Sequence, residues 1–191
     1  ELIIGVVGDV TAAELGPLLD ATFVDLPERA EAFTIPQAEL GAAGEVIVVE
    51  RDIPQSRVVF GHRGLYRDDP DYYAAILLNH VLGGGNFTSR LYDEVREKRG
   101  LAYSVFSYLL PLQKGPLWMG GAGTENGAVA KSVDLIREQW VNVQEFAISQ
   151  EELDRAKANL IGSFGLRFDS TMAIAGTLVA VQFRDLGIDF L

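Results

Sequence analysis

Three consecutive glycines, Gly83-Gly84-Gly85, constrain this chain more than any other feature. They follow a run in which Tyr73, Ile76, Leu77, His80 and Val81 recur at helical spacing, so a helix must stop there. A second helix is predicted from near Phe87 to Lys98. Gly100 then permits a sharp reversal into a strand beginning at Tyr103. The resulting stretch, GGGNFTSRLYDEVREKRGLAYSVFSY, joins a tight corner, a charged helix and an aromatic strand within Gly83–Tyr108.

Around it the pattern alternates between short apolar runs and amphipathic helices. Leu2–Val7 reads as a strand buried on both faces, rich in β-branched residues. Thr11 and Glu14 form a capping box, with Leu15, Leu18, Leu19 and Phe23 as the stripe behind it. The segment Pro27–Gly44 reads as a surface connection. Strands are expected over Glu45–Arg51 and Ser56–Gly61, with Asp52-Ile53-Pro54-Gln55 as the turn between them. Asp69-Pro70 has the form of an N-cap followed by a first-turn proline.

Tyr103–Leu109 and Pro116–Ala122 read as an antiparallel pair. Val129, Val133, Ile136, Trp140 and Val143 mark one long amphipathic helix. Ser149 and Glu152 form a second capping box, with Leu153, Ala156, Leu160 and Phe164 behind it. A last helix is expected over Ser170–Leu186. Paired strands with grouped helices predict an α+β fold: a two-layer sandwich, a mixed or antiparallel sheet with helices packed on one face. One domain over residues 1–191 is expected, beginning mid-protein as a fragment of a longer chain.

Composition narrows the chemistry. A net charge of −11 argues against nucleic acid as a partner and favours a cationic ligand only weakly, since acidity also serves solubility. No apolar run reaches the roughly 18–20 residues of a membrane-spanning helix. Cysteine is absent, which excludes disulfides and thiolate chemistry. The only histidines are His62 and His80, and neither belongs to an H-E-x-x-H or H-x-x-E-H motif. A catalytic metal is therefore not expected in this chain. There is no nucleophile elbow and no complete phosphate loop, because the triple glycine follows a helix rather than a strand.

What remains is Arg96 and Tyr103, seven residues apart across the reversal at Gly100. Arginine offers five N–H donors in a rigid fork and tyrosine one hydroxyl, a set suited to peptide carbonyls or a developing oxyanion. The competing reading pairs Arg96 with Asp93, Glu94 or Glu97 on a solvated face and packs Tyr103 in the core. The residues alone leave both open.

The block GGGNFTSRLYDEVREKRGLAYSVFS closely resembles the hallmark segment in the C-terminal half of the pitrilysin/insulinase family of zinc metallopeptidases, the processing-peptidase branch in particular. GVVGDVTAAELGPLLDATFVDLP is similar to the opening strand and helix of that half, and SQEELDRAKANLIGSF to its late helix. The resemblance implies a noncatalytic, substrate-binding domain that faces a homologous zinc-bearing domain or subunit. Zinc would sit in that partner module and none in this chain. The substrate would be a peptide or unfolded protein. By resemblance, Arg96 and Tyr103 orient the substrate or support the oxyanion, while Gly83, Gly84, Gly85, Ser89 and Arg90 contribute to substrate binding. A structural or assembly subunit of the same fold, without a peptidase role, is the alternative.

Overall fold

The computed structural model describes residues 2–27, 29–31, 33–41 and 44–190. Glu1, Leu191 and four positions of the expected Pro27–Gly44 connection (Glu28, Ala32, Ala42 and Ala43) lie outside the described residues. The chain forms two compact units, one comprising Glu1–Thr34 and Leu160–Leu191 and the other Ile35–Asn159.

The larger unit is built on a three-stranded antiparallel sheet in the order β1-β3-β2, with β1 at Gln55–Arg63, β2 at Ala102–Leu110 and β3 at Leu117–Glu125. The fold is α+β, as the element order predicts. Helices cover one face. Leu91 and Val95, from the helical segment after the glycines, meet Val105, Ala122, Leu135 and Ile136 in the main cluster of buried side chains. Leu135 and Ile136 come from α3, Val129–Phe146, whose predicted amphipathic stripe is present. Burial of such aliphatic side chains is worth about 1.5–3 kcal/mol each, which is what binds these helices to the sheet. On the other face Val59, Phe106 and Tyr108 remain exposed.

A second cluster, Ala75, Leu82 and Trp118, joins α2 (Tyr72–Asn79) to β3. Asn79 fixes that junction: its Oδ1 accepts from Ser107 Oγ at 2.8 Å and from Trp118 Nε1 at 2.9 Å. The helix begins at Tyr72, after Asp71, rather than at the expected Asp69-Pro70; Asp69 instead accepts from the Asp71 N–H at 2.9 Å. Tyr73, expected in the buried stripe, is exposed, and Tyr72 is buried in its place. Tyr72–Leu78 is apolar on every side, so periodicity could not choose the inward face.

Two expected strands are not formed. Leu2–Val7 and Glu45–Arg51 enter no ladder among the described residues, and Val46–Val49 are exposed. β-Branched runs satisfy the local pattern for a strand, but a strand also needs a ladder partner, and local sequence does not say whether one is present.

In the smaller unit, α1 (Ala12–Phe23) opens with the predicted capping box: Thr11 N donates to Glu14 Oε2 at 2.9 Å and Glu14 N to Thr11 Oγ1 at 3.3 Å. Gly5 lies against α5 (Thr171–Phe183), where an added Cβ would meet the Ala175 carbonyl oxygen at 2.8 Å. Ser170 caps α5 through the Ala173 N–H at 3.2 Å, so the helix begins at Thr171, one residue inside the predicted start. Among the described residues no single helix is long and apolar enough to cross a membrane.

Candidate functional site

The glycine corner is built from wide helical turns. His80–Gly84 is a π-helical turn closed by the Gly85 N–H to the His80 carbonyl at 2.8 Å. Asn86–Thr88 is a single 3-10 turn, Asn86 taking a positive φ of 48°. The helix predicted from Phe87 therefore starts later, after Ser89. Its body, Tyr92–Glu97, is again π-helical, closed by the Lys98 N–H to the Asp93 carbonyl at 2.9 Å. Such turns are rare and cluster at functional sites.

This backbone explains the glycines. Gly83 is pressed on β2, where a Cβ would stand 2.7 Å from Ser107 N and 2.8 Å from a Leu91 methyl. A Cβ on Gly84 would meet Asn79 Nδ2 at 2.5 Å, and one on Gly85 would meet the His80 carbonyl oxygen at 2.6 Å. Ser89 is fully buried and donates to the Asn86 carbonyl at 2.8 Å. Burial lowers the His80 pKa, favouring the neutral ring.

Arg90 is committed. Its Nε donates to Glu152 Oε1 at 2.6 Å, one terminal nitrogen to Glu152 Oε2 at 2.8 Å, and the same nitrogen to the Ala147 carbonyl at 3.2 Å. Glu152 is also the capping carboxylate of α4 (Gln150–Gly162), accepting from Ser149 N at 2.8 Å. The Arg90 bond, helped by the Ser149 bonds and against the cost of burial, holds the Glu152 pKa down at about 2.

Six residues on, Arg96 has no carboxylate paired with it among the described residues. Lys98 takes Asp93 at 2.8 Å and Glu94 at 2.6 Å, and Arg99 takes the other oxygen of Glu94. Burial, with the Glu97 carboxylate nearby, raises the Tyr92 pKa. Among the described residues Arg96 forms no ion pair; its Cζ lies 4.8 Å from the Tyr92 ring centroid and 5.3 Å from that of Tyr103.

Tyr103 is turned outward by a β-bulge. Ala102 pairs with Thr124 and Ser104 with Gly123, leaving Tyr103 as the extra residue. A bulge re-aims a side chain, and Tyr103 is 76% exposed. The reversal before it relies on Gly100 at φ 61°, with the Gly100 N–H on the Arg96 carbonyl at 2.8 Å and the Leu101 N–H on the Val95 carbonyl at 2.9 Å.

Arg96 and Tyr103 line an open cleft of about 400 Å³, whose walls include Gln55, Glu97, Gly123 and Glu125. The structure thus brings these two together, and places Gly83, Gly84, Gly85, Ser89 and Arg90 outside the cleft lining. Sequence reasoning missed Tyr92, although its position four residues before Arg96 on a helix was a signal for a shared face. Among the described residues no group of three or more His, Asp or Glu side chains is assembled as for a metal.

Comparison with known proteins bears on what such a cleft belongs to. The family described as Peptidase M16 inactive domain matches residues 2–160. The chain belongs to this family. An uncharacterized zinc protease of Streptomyces coelicolor is 37% identical over 88% of the chain and 36% of its own length. A non-peptidase homolog of Helicobacter pylori is 28% identical over 100% of the chain and 44% of its own. The crystal structure of a peptidase M16 inactive domain from Pseudomonas fluorescens superposes with a TM-score of 0.76 at 31% identity, covering 96% of this chain and 43% of that one. This M16 inactive domain therefore spans about two fifths of the length of the relatives it matches.

Proposed function

We propose that this M16 inactive domain is the substrate side of a zinc metalloendopeptidase, in which Arg96 and Tyr103 hold a peptide against a homologous zinc-bearing module. The observation that carries the reading is a guanidinium with no carboxylate partner, beside an outward-turned tyrosine, at one open cleft. An arginine paired with a carboxylate has already used its donors; this one keeps them for carbonyl oxygens. Zinc in the facing module would supply Lewis-acid activation of water. Arg96 and Tyr103 would orient the peptide and donate to the carbonyl oxygen as charge develops. Residues 1–191 act in this reading as one such domain. Gly83, Gly84, Gly85, Ser89 and Arg90 belong to the substrate site as the support that sets the donor pair in place.

The test is Arg96→Ala in the full-length protein assembled with its zinc-bearing module, measured by peptide hydrolysis. Loss of charge-assisted hydrogen bonds worth about 1.5–3 kcal/mol lowers kcat/KM roughly tenfold to a hundredfold or more. Tyr103→Phe, removing a single hydroxyl donor, lowers it less. An unchanged kcat/KM in folded Arg96→Ala protein overturns the assignment. The second reading, an assembly subunit without a peptidase role, draws support from the relative named a non-peptidase homolog. It predicts that the chain copurifies with a complex holding no zinc-bearing homologue, and that Arg96→Ala leaves that assembly intact.

A further inference from the structure

Behind the Arg96 guanidinium the rings of Tyr92 and Phe87 pack in series. Phe87, next to Asn86 in the glycine-rich corner, packs edge-on against Tyr92, with centroids 5.0 Å apart and planes at 81°. Tyr92 lies under the Arg96 guanidinium, which also meets Tyr103. The two end members are exposed, Phe87 at 73% and Tyr103 at 76%, while Tyr92 between them is 8% exposed.

We propose that Tyr92 is a positioning residue for Arg96, holding the guanidinium beside Tyr103 through its ring face and linking the donor pair to the glycine-rich corner through Phe87. The inference rests on the reading of Arg96 as a peptide donor and extends it to a residue that touches no substrate.

Donor economy favours a ring over a carboxylate beside Arg96. A free arginine samples many rotamers, and ordering it on binding weakens affinity. A carboxylate would order it but would consume its N–H groups and neutralise its charge. An aromatic face attracts the cation while leaving the N–H donors unspent. The surrounding acids are disposed to suit. Asp93 and Glu94 are taken by Lys98 and Arg99. Tyr92 offers its ring to Arg96 where the two acids that precede Arg96 on the segment are already engaged. Phe87 gives the stack an exposed end outside the cleft, so a contact made at the glycine-rich corner can reach the donor pair through one buried ring.

The test is the side-chain Nε–Hε signal of Arg96 in the full-length protein labelled with 15N-arginine, assigned by its loss in Arg96→Lys. Ring stacking shifts that proton upfield of the other arginine signals. Tyr92→Phe retains the shift, Tyr92→Leu moves the signal toward the unstructured position, and Phe87→Ala moves it part of the way. In the zinc-bearing assembly Tyr92→Leu lowers kcat/KM roughly threefold to tenfold, and Tyr92→Phe by less than that. Two results overturn the proposal: a native Arg96 signal without an upfield shift, which needs no variant to fold, or an unmoved signal in folded Tyr92→Leu protein. Should Arg96→Ala leave hydrolysis unchanged while the Tyr92 variants shift the Arg96 signal as stated, the stack stands and the peptide reading alone fails.

Discussion

Arg90 and Arg96 sit six residues apart on one segment and have opposite fates. Arg90 spends its donors on the Glu152 carboxylate and the Ala147 carbonyl, tying the start of the segment to the first turn of α4. Arg96 reaches the other end with Asp93 and Glu94 already engaged, and rests on tyrosine rings at an open cleft. Residue type and helix are the same. What separates a structural arginine from an available one is whether a facing element supplies an unspent carboxylate. Substitutions at the buttressed end and at the open end should separate the two.

The largest loss is expected from Gly83→Ala. Its Cβ would stand 2.7 Å from a backbone nitrogen of β2, which cannot swing aside as a side-chain tip can. Overpacking of this kind costs about 3 kcal/mol, read as a drop in the urea midpoint with the slope unchanged. A smaller loss would mean that the corner yields, and that the buttressed end is less rigid than its contacts imply.

Next comes the clamp. Glu152→Ala removes the carboxylate from a half-buried Arg90 and one side of the α4 capping box, costing roughly 2–3 kcal/mol. Its pH dependence has a definite sign. The Glu152 pKa is about 2 when folded against a reference of 4.5, so the folded state favours the ionised form. That contribution is complete above about pH 4.5 and is lost as pH falls through 4.5 toward 2. The stability gap between the native protein and Glu152→Ala is therefore widest near neutrality and narrows across that window. A gap that stays constant down to pH 2 would separate the clamp from the Glu152 charge.

The reversal and the capping box could be read from the sequence, whereas the division between Arg90 and Arg96 could not. Gly100, with charge before it and aromatics after, fixed the reversal that brings Arg96 beside Tyr103. Ser149 and Glu152 declared a capping box by their three-residue spacing. Glu152 also taking Arg90, which lies 62 residues away in sequence, had no local signal. The bulge that exposes Tyr103 was equally invisible, because register against β3 is a long-range property. The π-helical turns were read as ordinary helix, since periodicity over six residues does not resolve one extra backbone atom group per turn. Val46–Val49 misled in the opposite sense: a β-branched run with no ladder partner.

A smaller effect is expected at the hinge between the two ends. Gly100 has a φ of 61°, and nothing lies within 4 Å of an added Cβ, so Gly100→Ala incurs backbone strain without a clash. About 1–2 kcal/mol of destabilisation follows. Arg96 and Tyr103 should drift apart in that variant, and peptide hydrolysis by the assembled enzyme should fall by more than the stability loss explains.

The smallest stability effect is expected at Arg96 itself, and it bears most directly on the comparison. Arg96→Ala loses stacking on one buried and one exposed ring, worth about 0.5–1 kcal/mol in partly solvated surroundings. It also releases a long side chain from confinement, which returns conformational entropy of similar size. No carboxylate is orphaned, because none was paired with it. Unfolding free energy should therefore stay within about 0.5 kcal/mol of the native value, whereas Arg90→Ala, which strands Glu152, should cost roughly 2–3 kcal/mol. Urea denaturation of the two variants side by side checks this. Equal losses would make Arg96 a structural prop like Arg90, and an arginine needed to hold the fold is a poor candidate for one held in reserve for a ligand.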